Sequence, residues 1–158
     1  MQLEELHLVH FKNHSSADLT LGSQVNCFLG DNGSGKTNVL DAVHYLCFCK
    51  SYFNPIDGQN IAHDEPFMLV QGDFTRLGNK ERVSCGIRRG AKKQFKRNDK
   101  AYTRLADHIG RFPAVMIAPD DANLVQGGSE VRRRWMDSVI SQYNRPYLDA
   151  LIDLNKAL

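Results

Sequence analysis

The stretch Gly30-Asp31-Asn32-Gly33-Ser34-Gly35-Lys36-Thr37 decides the fold, because it meets every fixed position of the G-x-x-x-x-G-K-[ST] phosphate loop. Glycines let the backbone adopt dihedral angles that a Cβ atom forbids, so the amides from Asn32 to Gly35 can turn toward one anion. Lys36 is predicted as the catalytic residue because its flexible positive charge can reach the β- and γ-phosphates, and the Thr37 hydroxyl suits Mg²⁺. The whole run therefore predicts a binding site for a nucleoside triphosphate.

The residues on either side of this loop have the pattern of a strand followed by a helix. Val25-Asn26-Cys27-Phe28-Leu29 is a short apolar run bounded by turn residues, which predicts a strand. From Thr37 to Cys49, apolar residues recur at spacings of three and four without Gly or Pro, which predicts a helix. The apolar positions of this helix are Val39, Leu40, Val43, Leu46 and Cys47. Strand, loop and helix thus come in the order that a phosphate loop requires.

The rest of the chain predicts an α/β fold: a mixed sheet with the phosphate-loop helix, an antiparallel β-meander and C-terminal helices. Two alternating segments open the chain, Leu3–Phe11 and Ala17–Leu21, and Ser51–Glu65 has the composition of a loop. The meander is predicted at Phe67–Thr75, Glu81–Arg88 and Lys92–Asn98, and the apolar run Phe112–Ala118 predicts a central strand. Helices are predicted after the caps Asp120-Asp121 and Ser129 and from Pro146 onward.

Length and composition indicate one globular domain. The 158 residues are 42% hydrophobic and 24% charged, with a formal net charge of +2. No apolar stretch has the length of a membrane span, and the acidic N-terminus lacks the basic region of a secretory signal. These features favour a cytoplasmic protein without a membrane partner.

Four cysteines are compatible with that compartment, where thiols stay reduced. Cys47 and Cys49 lie on diverging faces of the predicted helix and lack the C-x₂₋₄-C spacing of a zinc turn. We therefore interpret Cys47, Cys49 and Cys85 as small buried hydrophobes, with zinc binding as the less favoured alternative.

Positive charge is concentrated between Arg88 and Lys100. This segment contains Arg88, Arg89, Lys92, Lys93, Lys96, Arg97 and Lys100, with Asp99 as its only acid. Two interpretations remain open, because lysines protect the edges of sheets from mispairing and also bind the phosphates of DNA. A second basic run, Arg132 to Arg134, is interpreted as a solvated helix face or a set of internal salt bridges.

Two further segments resemble a known family. Leu6-His7-Leu8-Val9-His10-Phe11-Lys12-Asn13-His14 is similar to the first strand of the structural-maintenance and double-strand-repair ATPases, which ends in Phe-Arg-Asn. The run from Pro119 to Asp137 closely resembles a stretch of the RecF family of bacterial recombination mediators. The resemblance covers the whole chain and implies an ABC-ATPase type head, split into two lobes by an inserted arm. It assigns residues 1–130 to the first lobe and 131–158 to helices that begin the arm, and it places the rest of the head outside this chain.

The resemblance also implies a function in DNA replication, repair, recombination and the SOS response. RecF proteins bind ATP with Mg²⁺, form a homodimer when two heads close on ATP, and hydrolyse ATP weakly. They act as clamps on double-stranded DNA and on single-strand/double-strand junctions, and they help RecR and RecO load the recombinase. By this resemblance Lys12 and Asn13 approach the nucleotide from the first strand, whereas the alternative is that they only close a β-turn.

Departures from the family pattern limit what this chain is expected to do. Lys12 stands where relatives carry Arg, and Ala118-Pro119-Asp120 occupies the place of a glutamine that touches Mg²⁺; Asp120 or, less well, Gln126 could replace it. No apolar strand ending in Asp-Glu and no signature serine segment follows the loop. We expect this chain to bind ATP weakly and to be inactive in hydrolysis. Its last helix has no closing cap, which predicts a longer reading frame or a helix that docks on a partner subunit.

Two other classes of function remain as alternatives. One is a phosphate-loop kinase or GTPase that acts on a small molecule or as a switch, because Asp107-His108-Ile109-Gly110 matches the D-x-x-G of GTPases. No apolar strand leads into this match, and no Asn-Lys-x-Asp segment occurs. The other is a nucleic-acid scaffold that uses the nucleotide only as a conformational ligand.

Overall fold

A computed structural model describes residues 1–157, with the side chain of Asp120 excepted. Six strands form one sheet in the order β2-β1-β3-β4-β5-β6. The strands are β1 Gln2–Phe11, β2 His14–Thr20, β3 Phe67–Arg76, β4 Asn79–Arg88, β5 Gln94–Arg97 and β6 Lys100–Ala101. Every pair in this sheet is antiparallel, so the described residues form the antiparallel part of the predicted mixed sheet.

Tight turns connect the strands at the centre of the sheet. β3 and β4 pair from Phe67 opposite Arg88 to Arg76 opposite Asn79, which leaves a two-residue turn. Both turn residues, Leu77 and Gly78, have positive φ values of 50° and 78°. Positive φ at both positions is the geometry of a type I′ turn, whose twist matches that of the flanking strands. The meander predicted from the alternating pattern is therefore confirmed.

Helix α1, Lys36–Phe48, packs across β1, β3 and β4. Its buried residues surround most of the helix: Val39, Asp41, Ala42, His44, Tyr45, Leu46 and Cys47. The sheet supplies the opposite side of the core with alternating residues that are 0% exposed, such as Leu6, Leu8, Met68 and Val70. Leu40, predicted to face the core, is 47% exposed instead. Residues 50–57 also contact the helix, since Asp41 bonds to Ser51 and Tyr52, His44 to the Lys50 carbonyl and Tyr45 to Asp57.

The C-terminal part of the chain is helical and less buried. A 3₁₀ turn at Pro119–Ala122 leads into the short helix α2, Asn123–Gln126, followed by α3, Ser129–Ile140, and α4, Arg145–Ala157. Asn144 caps α4 by accepting a hydrogen bond from the Tyr147 amide at 3.0 Å. The prediction that Ser129 caps α3 is wrong, because Gly128 occupies the cap position and makes no side-chain bond.

Two predicted strands are absent from the described structure. Residues 25–29 and 112–118 have no regular secondary structure, and neither segment has a β-partner within residues 1–157. Several of their apolar side chains are correspondingly open to solvent, with Leu29 91% and Ile117 82% exposed, whereas Phe112 at the start of the second segment is buried in the core. A strand needs a neighbour for its backbone N–H and C=O groups, and the described part of the chain supplies none here.

None of the helices within residues 1–157 combines the length and the apolar character that crossing a membrane requires.

Candidate functional site

The loop from Gly30 to Thr37 is shaped for an anion. Gly30, Gly33 and Gly35 have φ values of 150°, 83° and 97°, in the region that favours glycine. α1 begins at Lys36, directly after Gly35. Within the described residues, the amides of Lys36, Thr37 and Asn38 have no hydrogen-bond acceptor. Free amides and the positive end of the helix dipole meet at this point, which is the arrangement that binds phosphate.

Lys36 lies inside the loop. Its ammonium donates to the carbonyl oxygens of Gly30 at 2.8 Å and Asp31 at 2.7 Å. No carboxylate pairs with it among the described residues, so its charge is compensated only by these carbonyls and by the Ser34 hydroxyl at 3.5 Å. A phosphate entering the loop can therefore attract this ammonium without breaking an ion pair. Thr37 is exposed in the first turn of α1, where its hydroxyl is accessible to a hydrated metal ion.

Asn13 connects the β1–β2 turn to the loop. Its amide nitrogen donates to the Gly33 carbonyl at 2.9 Å, and its side-chain oxygen accepts from the Asn38 amide group at 2.7 Å. The structure thus places Asn13 against the loop, in contact with its backbone and with Asn38. Whether Asn13 also contacts nucleotide stays a prediction.

Lys12 has a different environment from the one predicted. Its ammonium lies 2.6 Å from the carboxylate of Asp41, which is fully buried in α1. Asp41 also accepts hydrogen bonds from the Ser51 hydroxyl and the Tyr52 amide, both at 2.6 Å. Lys12 would have to leave a buried carboxylate to reach a phosphate, so its predicted contact with nucleotide also stays a prediction. Sequence reasoning missed Asp41, because an acid on a helix carries no sign of whether it is buried.

Within the described residues, no contact joins Gln126, one of the two candidates for the missing glutamine, to the loop. The side chain of Asp120 lies outside the described residues, and Gln126 is exposed at the end of α2. The neighbouring Asp121 has a structural role instead. Its carboxylate accepts from the Tyr52 hydroxyl at 2.5 Å and from the Ala118 amide at 2.7 Å.

The D-x-x-G match has a structural explanation. His108 is fully buried, and its Nε2 lies 2.6 Å from the Leu46 carbonyl oxygen in the last turns of α1. Ten residues of helix separate Leu46 from Lys36, which corresponds to about 15 Å along the axis. Asp107 forms an ion pair with Arg145 of α4. The segment is therefore a packing element at the end of α1 that lies away from the loop.

The basic segment between Arg88 and Lys100 divides into two groups. Three of its cations are used internally. Lys93 pairs with Asp57 at 2.9 Å, Arg97 pairs with Glu81 at 3.0 Å, and Arg89 donates to backbone carbonyls. The other cations, for which the described residues show no ion pair, are Arg88, Lys92, Lys96 and Lys100. In the Arg132–Arg134 run, Arg132 bonds to the carbonyls of Leu124 and Gly127, and Arg134 pairs with Glu130.

The cysteines agree with their interpretation as small hydrophobes. Cys47, Cys49 and Cys85 are buried, and burial raises the pKa of Cys47 and of Cys49 to about 12. Their thiols therefore stay protonated at neutral pH. Cys27 is exposed in the segment before the loop and does not lie in a strand, contrary to the prediction.

Charged groups on the other face of the sheet form hydrogen bonds and ion pairs with one another. Glu5, His7 and Asp73 each bring a potential metal-ligating atom to within 4.8 Å of the others. Asp73 is held by two hydrogen bonds from Arg82, at 2.7 and 2.9 Å. The hydrogen bond to Asp18 at 2.7 Å is the main cause that raises the pKa of His7. The groups thus form an ion-pair network.

The fold and the loop together place the chain in a defined class. It belongs to the AAA domain family, which matches residues 5–146. It is also similar to the SMC head domain from Thermotoga maritima, with a TM-score of 0.60 and 23% identity over 84% of this chain and 54% of that one. The predicted fold class, a phosphate-loop ATPase head with a sheet and helices, is confirmed.

Within that class, the predicted resemblance to RecF is confirmed. The chain is 56% identical to the DNA replication and repair protein RecF of Phocaeicola vulgatus and 46% identical to that of Flavobacterium johnsoniae, in each case over 100% of this chain. It covers 43% and 44% of those proteins. A solved structure of the recombination mediator protein RecF-ATP matches with a TM-score of 0.92 and 25% identity, over 99% of this chain and 42% of that one. The chain thus spans less than half the length of these relatives.

Proposed function

We propose that this chain is the ATP-binding part of a RecF-type protein of DNA replication and repair. The observation that carries the proposal is the loop itself, where free amides at the start of α1 lie next to a Lys36 ammonium that is bonded only to groups of the loop. The RecF-ATP relative supports ATP as the nucleotide. The GTPase alternative loses its support, because Asp107–Gly110 packs at the far end of α1.

Each loop residue has a role that follows from its chemistry. The backbone from Asn32 to Gly35 would hold the β-phosphate, and Lys36 would neutralise charge on the γ-phosphate. Thr37 would contribute its hydroxyl to Mg²⁺, which keeps most of its own waters and takes few protein ligands. The fit rests on the glycine conformations and on the exposure of Thr37.

The larger architecture is part of the proposal. Residues 1–130 form the first lobe of the head, and residues 131–158 begin an inserted arm. Segments 25–29 and 112–118, which carry exposed apolar side chains such as Leu29 and Ile117, would pair with strands supplied by the rest of the longer protein, which accords with the 43% coverage of its relatives. The metal-orienting acid and the signature serine would come from the same region. This chain alone should therefore bind ATP weakly and hydrolyse it negligibly.

In the longer protein, two ATP-bound heads would close into a dimer on double-stranded DNA near single-strand junctions, together with RecR and RecO type proteins. Two related structures support this part of the proposal: one is of the recombination mediator protein RecF-ATP in the RecFOR pathway, and the other concerns ATP-driven dimerisation of SMC ATPases. A DNA-stimulated hydrolysis rate measured for the isolated 158-residue chain would contradict the proposed division of the head.

The first test removes the loop cation. Lys36→Ala should lower ATP affinity by about 10- to 100-fold, because it deletes a charge-assisted contact to phosphate. Its free energy of unfolding should change by less than about 0.5 kcal/mol, because the residue is not part of the core. Isothermal titration and urea unfolding measure the two effects. The matched control is Lys50→Ala, which removes an exposed lysine after α1.

In the longer protein Lys36→Ala should also abolish ATP-dependent dimerisation, measured by light scattering. Dimers that persist with ATP would contradict the proposal. Wild-type protein that binds GTP at least as tightly as ATP would favour the GTPase alternative.

The second test concerns DNA and uses the cations that have no internal partner. Replacing Lys92, Lys96 and Lys100 by Gln in the longer protein should weaken DNA binding and reduce the slope of log K against log salt by up to roughly 3. The matched control replaces Lys50, Lys80 and Lys156 by Gln, which removes the same charge elsewhere. Fluorescence anisotropy across a salt series measures both slopes. Equal slopes for the two variants would mean that this segment only protects the sheet edge.

A further inference from the structure

His14 contacts the joint between the phosphate loop and α1. It is the first residue of β2, and its imidazole Nε2 lies 3.1 Å from the carbonyl oxygen of Gly35. A carbonyl oxygen can only accept a hydrogen bond, so this nitrogen must carry the proton. The imidazole therefore donates from the sheet to the last residue of the loop.

The Gly35 carbonyl joins the loop to the first hydrogen bond of α1. It also accepts the hydrogen bond of the Val39 amide at 3.1 Å, the bond that starts the regular pattern of α1. The Gly35 carbonyl and the Lys36 amide belong to one planar trans peptide, so they point in opposite directions. A contact that fixes the carbonyl toward His14 therefore aims the Lys36 amide away from His14, and no described residue accepts its hydrogen bond.

The packing at this joint leaves little freedom. A Cβ atom on Gly35 would lie 2.5 Å from the His14 Nε2 and 2.7 Å from the Asn13 side-chain oxygen. Gly35 also has φ of 97°, which L side chains rarely adopt. Because His14 and Asn13 are in close contact with the loop, the β1–β2 turn defines one wall of it. Asn13 holds Gly33, and His14 holds Gly35 by a separate bond.

We propose that His14 is a positioning residue for nucleotide binding: its Nε2–H orients the Gly35–Lys36 peptide so that the Lys36 amide faces the phosphate. The inference rests on the proposed ATP binding and adds to it a residue outside the G-x-x-x-x-G-K-[ST] motif. It assigns His14 no contact with the nucleotide.

The test compares two substitutions that differ in one property. His14→Phe keeps a planar ring and removes the donor, and phenylalanine is well tolerated in strands. His14→Gln keeps an N–H donor that can reach the same carbonyl. His63→Phe is the matched control, since the His63 side chain is 94% exposed and pairs only with the neighbouring Asp64 within the described residues. Hydrogen exchange of residues 30–40 in the nucleotide-free protein and ATP affinity are measured for all variants.

His14→Phe should speed exchange in residues 30–40 and weaken ATP binding by about 2- to 10-fold, the range expected for one hydrogen bond. His14→Gln should stay within about twofold of the wild type in both measurements, and His63→Phe should change neither. The proposal is overturned if His14→Phe retains wild-type affinity, or if His14→Gln fails as badly as His14→Phe. If the wild type binds no nucleotide, the proposed function fails. Exchange in the free protein then still decides whether His14 holds the loop.

Discussion

Two kinds of apolar segment in this chain differ in whether they form strands. The strands β1 and β3 form the centre of the sheet, where Leu8 and Val70 are 0% exposed. The segments 25–29 and 112–118 contain equally apolar residues, yet Leu29 is 91% and Ile117 82% exposed. Propensity does not distinguish them. The difference is that the sheet strands have neighbours within the described chain and the two segments do not.

Their sequence patterns explain why only one group finds partners locally. From Val83 to Ile87, β4 alternates between buried and partly buried positions, as suits an antiparallel strand with one more open face, and a two-residue turn brings it beside β3. Residues 25–29 and 112–118 are nearly continuous apolar runs, which are typical of strands covered on both faces in parallel sheets. Parallel neighbours need long crossover connections, so they come from distant parts of a chain. A strand-like pattern therefore shows that a segment needs neighbouring strands, but it does not show whether the chain contains them.

The largest expected effect tests the ion pair that joins the sheet to α1. Lys12→Met should lower the free energy of unfolding by about 3–5 kcal/mol, because it leaves the carboxylate of Asp41 buried without its counter-charge. Lys80→Met is the matched control: its ammonium is 3.7 Å from Glu4 and 88% exposed, so the loss should stay below about 1 kcal/mol. Urea unfolding measures both. If both variants lose less than about 1 kcal/mol of unfolding free energy, the hydrogen bonds from Ser51 and the Tyr52 amide are enough to stabilise the Asp41 carboxylate.

The second prediction makes the same substitution in the two regions. Leu8→Ala should cost about 2–5 kcal/mol of unfolding free energy, because it opens a cavity in the packed core. Leu29→Ala should change stability by less than about 0.5 kcal/mol in this chain, because that side chain is already in water. In the longer protein Leu29→Ala should become destabilising if neighbouring strands cover the segment. A large loss for Leu29→Ala in the isolated chain would show that residues 25–29 already pack against something.

The motif could be predicted because its chemistry is local. The glycines, Lys36 and the start of α1 are all encoded within one short stretch, and the structure places them as expected. The interpretation of Cys47 and Cys49 as buried was also within reach, since it used only spacing and compartment.

Contacts between residues far apart in the sequence could not be predicted from local patterns. Asp41 is buried because Lys12, far along the chain, supplies a counter-charge, and nothing in the helical spacing shows this. His14 meets Gly35 only after β1 and β2 have paired and α1 has packed on the sheet. The predictions of strands at residues 25–29 and 112–118 were wrong for a related reason, because a strand forms only when a partner from elsewhere in the chain pairs with it.

The smallest expected effect lies at the border between the two regions and depends on pH. His108 is fully buried and stacks on Phe112, the residue that begins segment 112–118. Its Nε2–H donates to the Leu46 carbonyl at 2.6 Å, and its Nδ1 accepts from the Tyr102 hydroxyl at 3.0 Å, so the neutral ring fits this site. Burial is the main cause that lowers the pKa of His108 from 6.5 to about 4.

The sign of the effect follows from where the proton binds. Between pH 6.5 and 4, His108 binds a proton in the unfolded state but not in the folded state. The free energy of unfolding contributed by His108 is therefore fully present above pH 6.5 and decreases as the pH is lowered. The pKa difference corresponds to a loss of about 3 kcal/mol by pH 4. Urea unfolding at a series of pH values should show a shallower decline for His108→Gln, which cannot titrate. His63→Gln should keep the wild-type decline, and if His108→Gln keeps it too, the acid sensitivity belongs to other groups, such as His44, whose pKa burial also lowers.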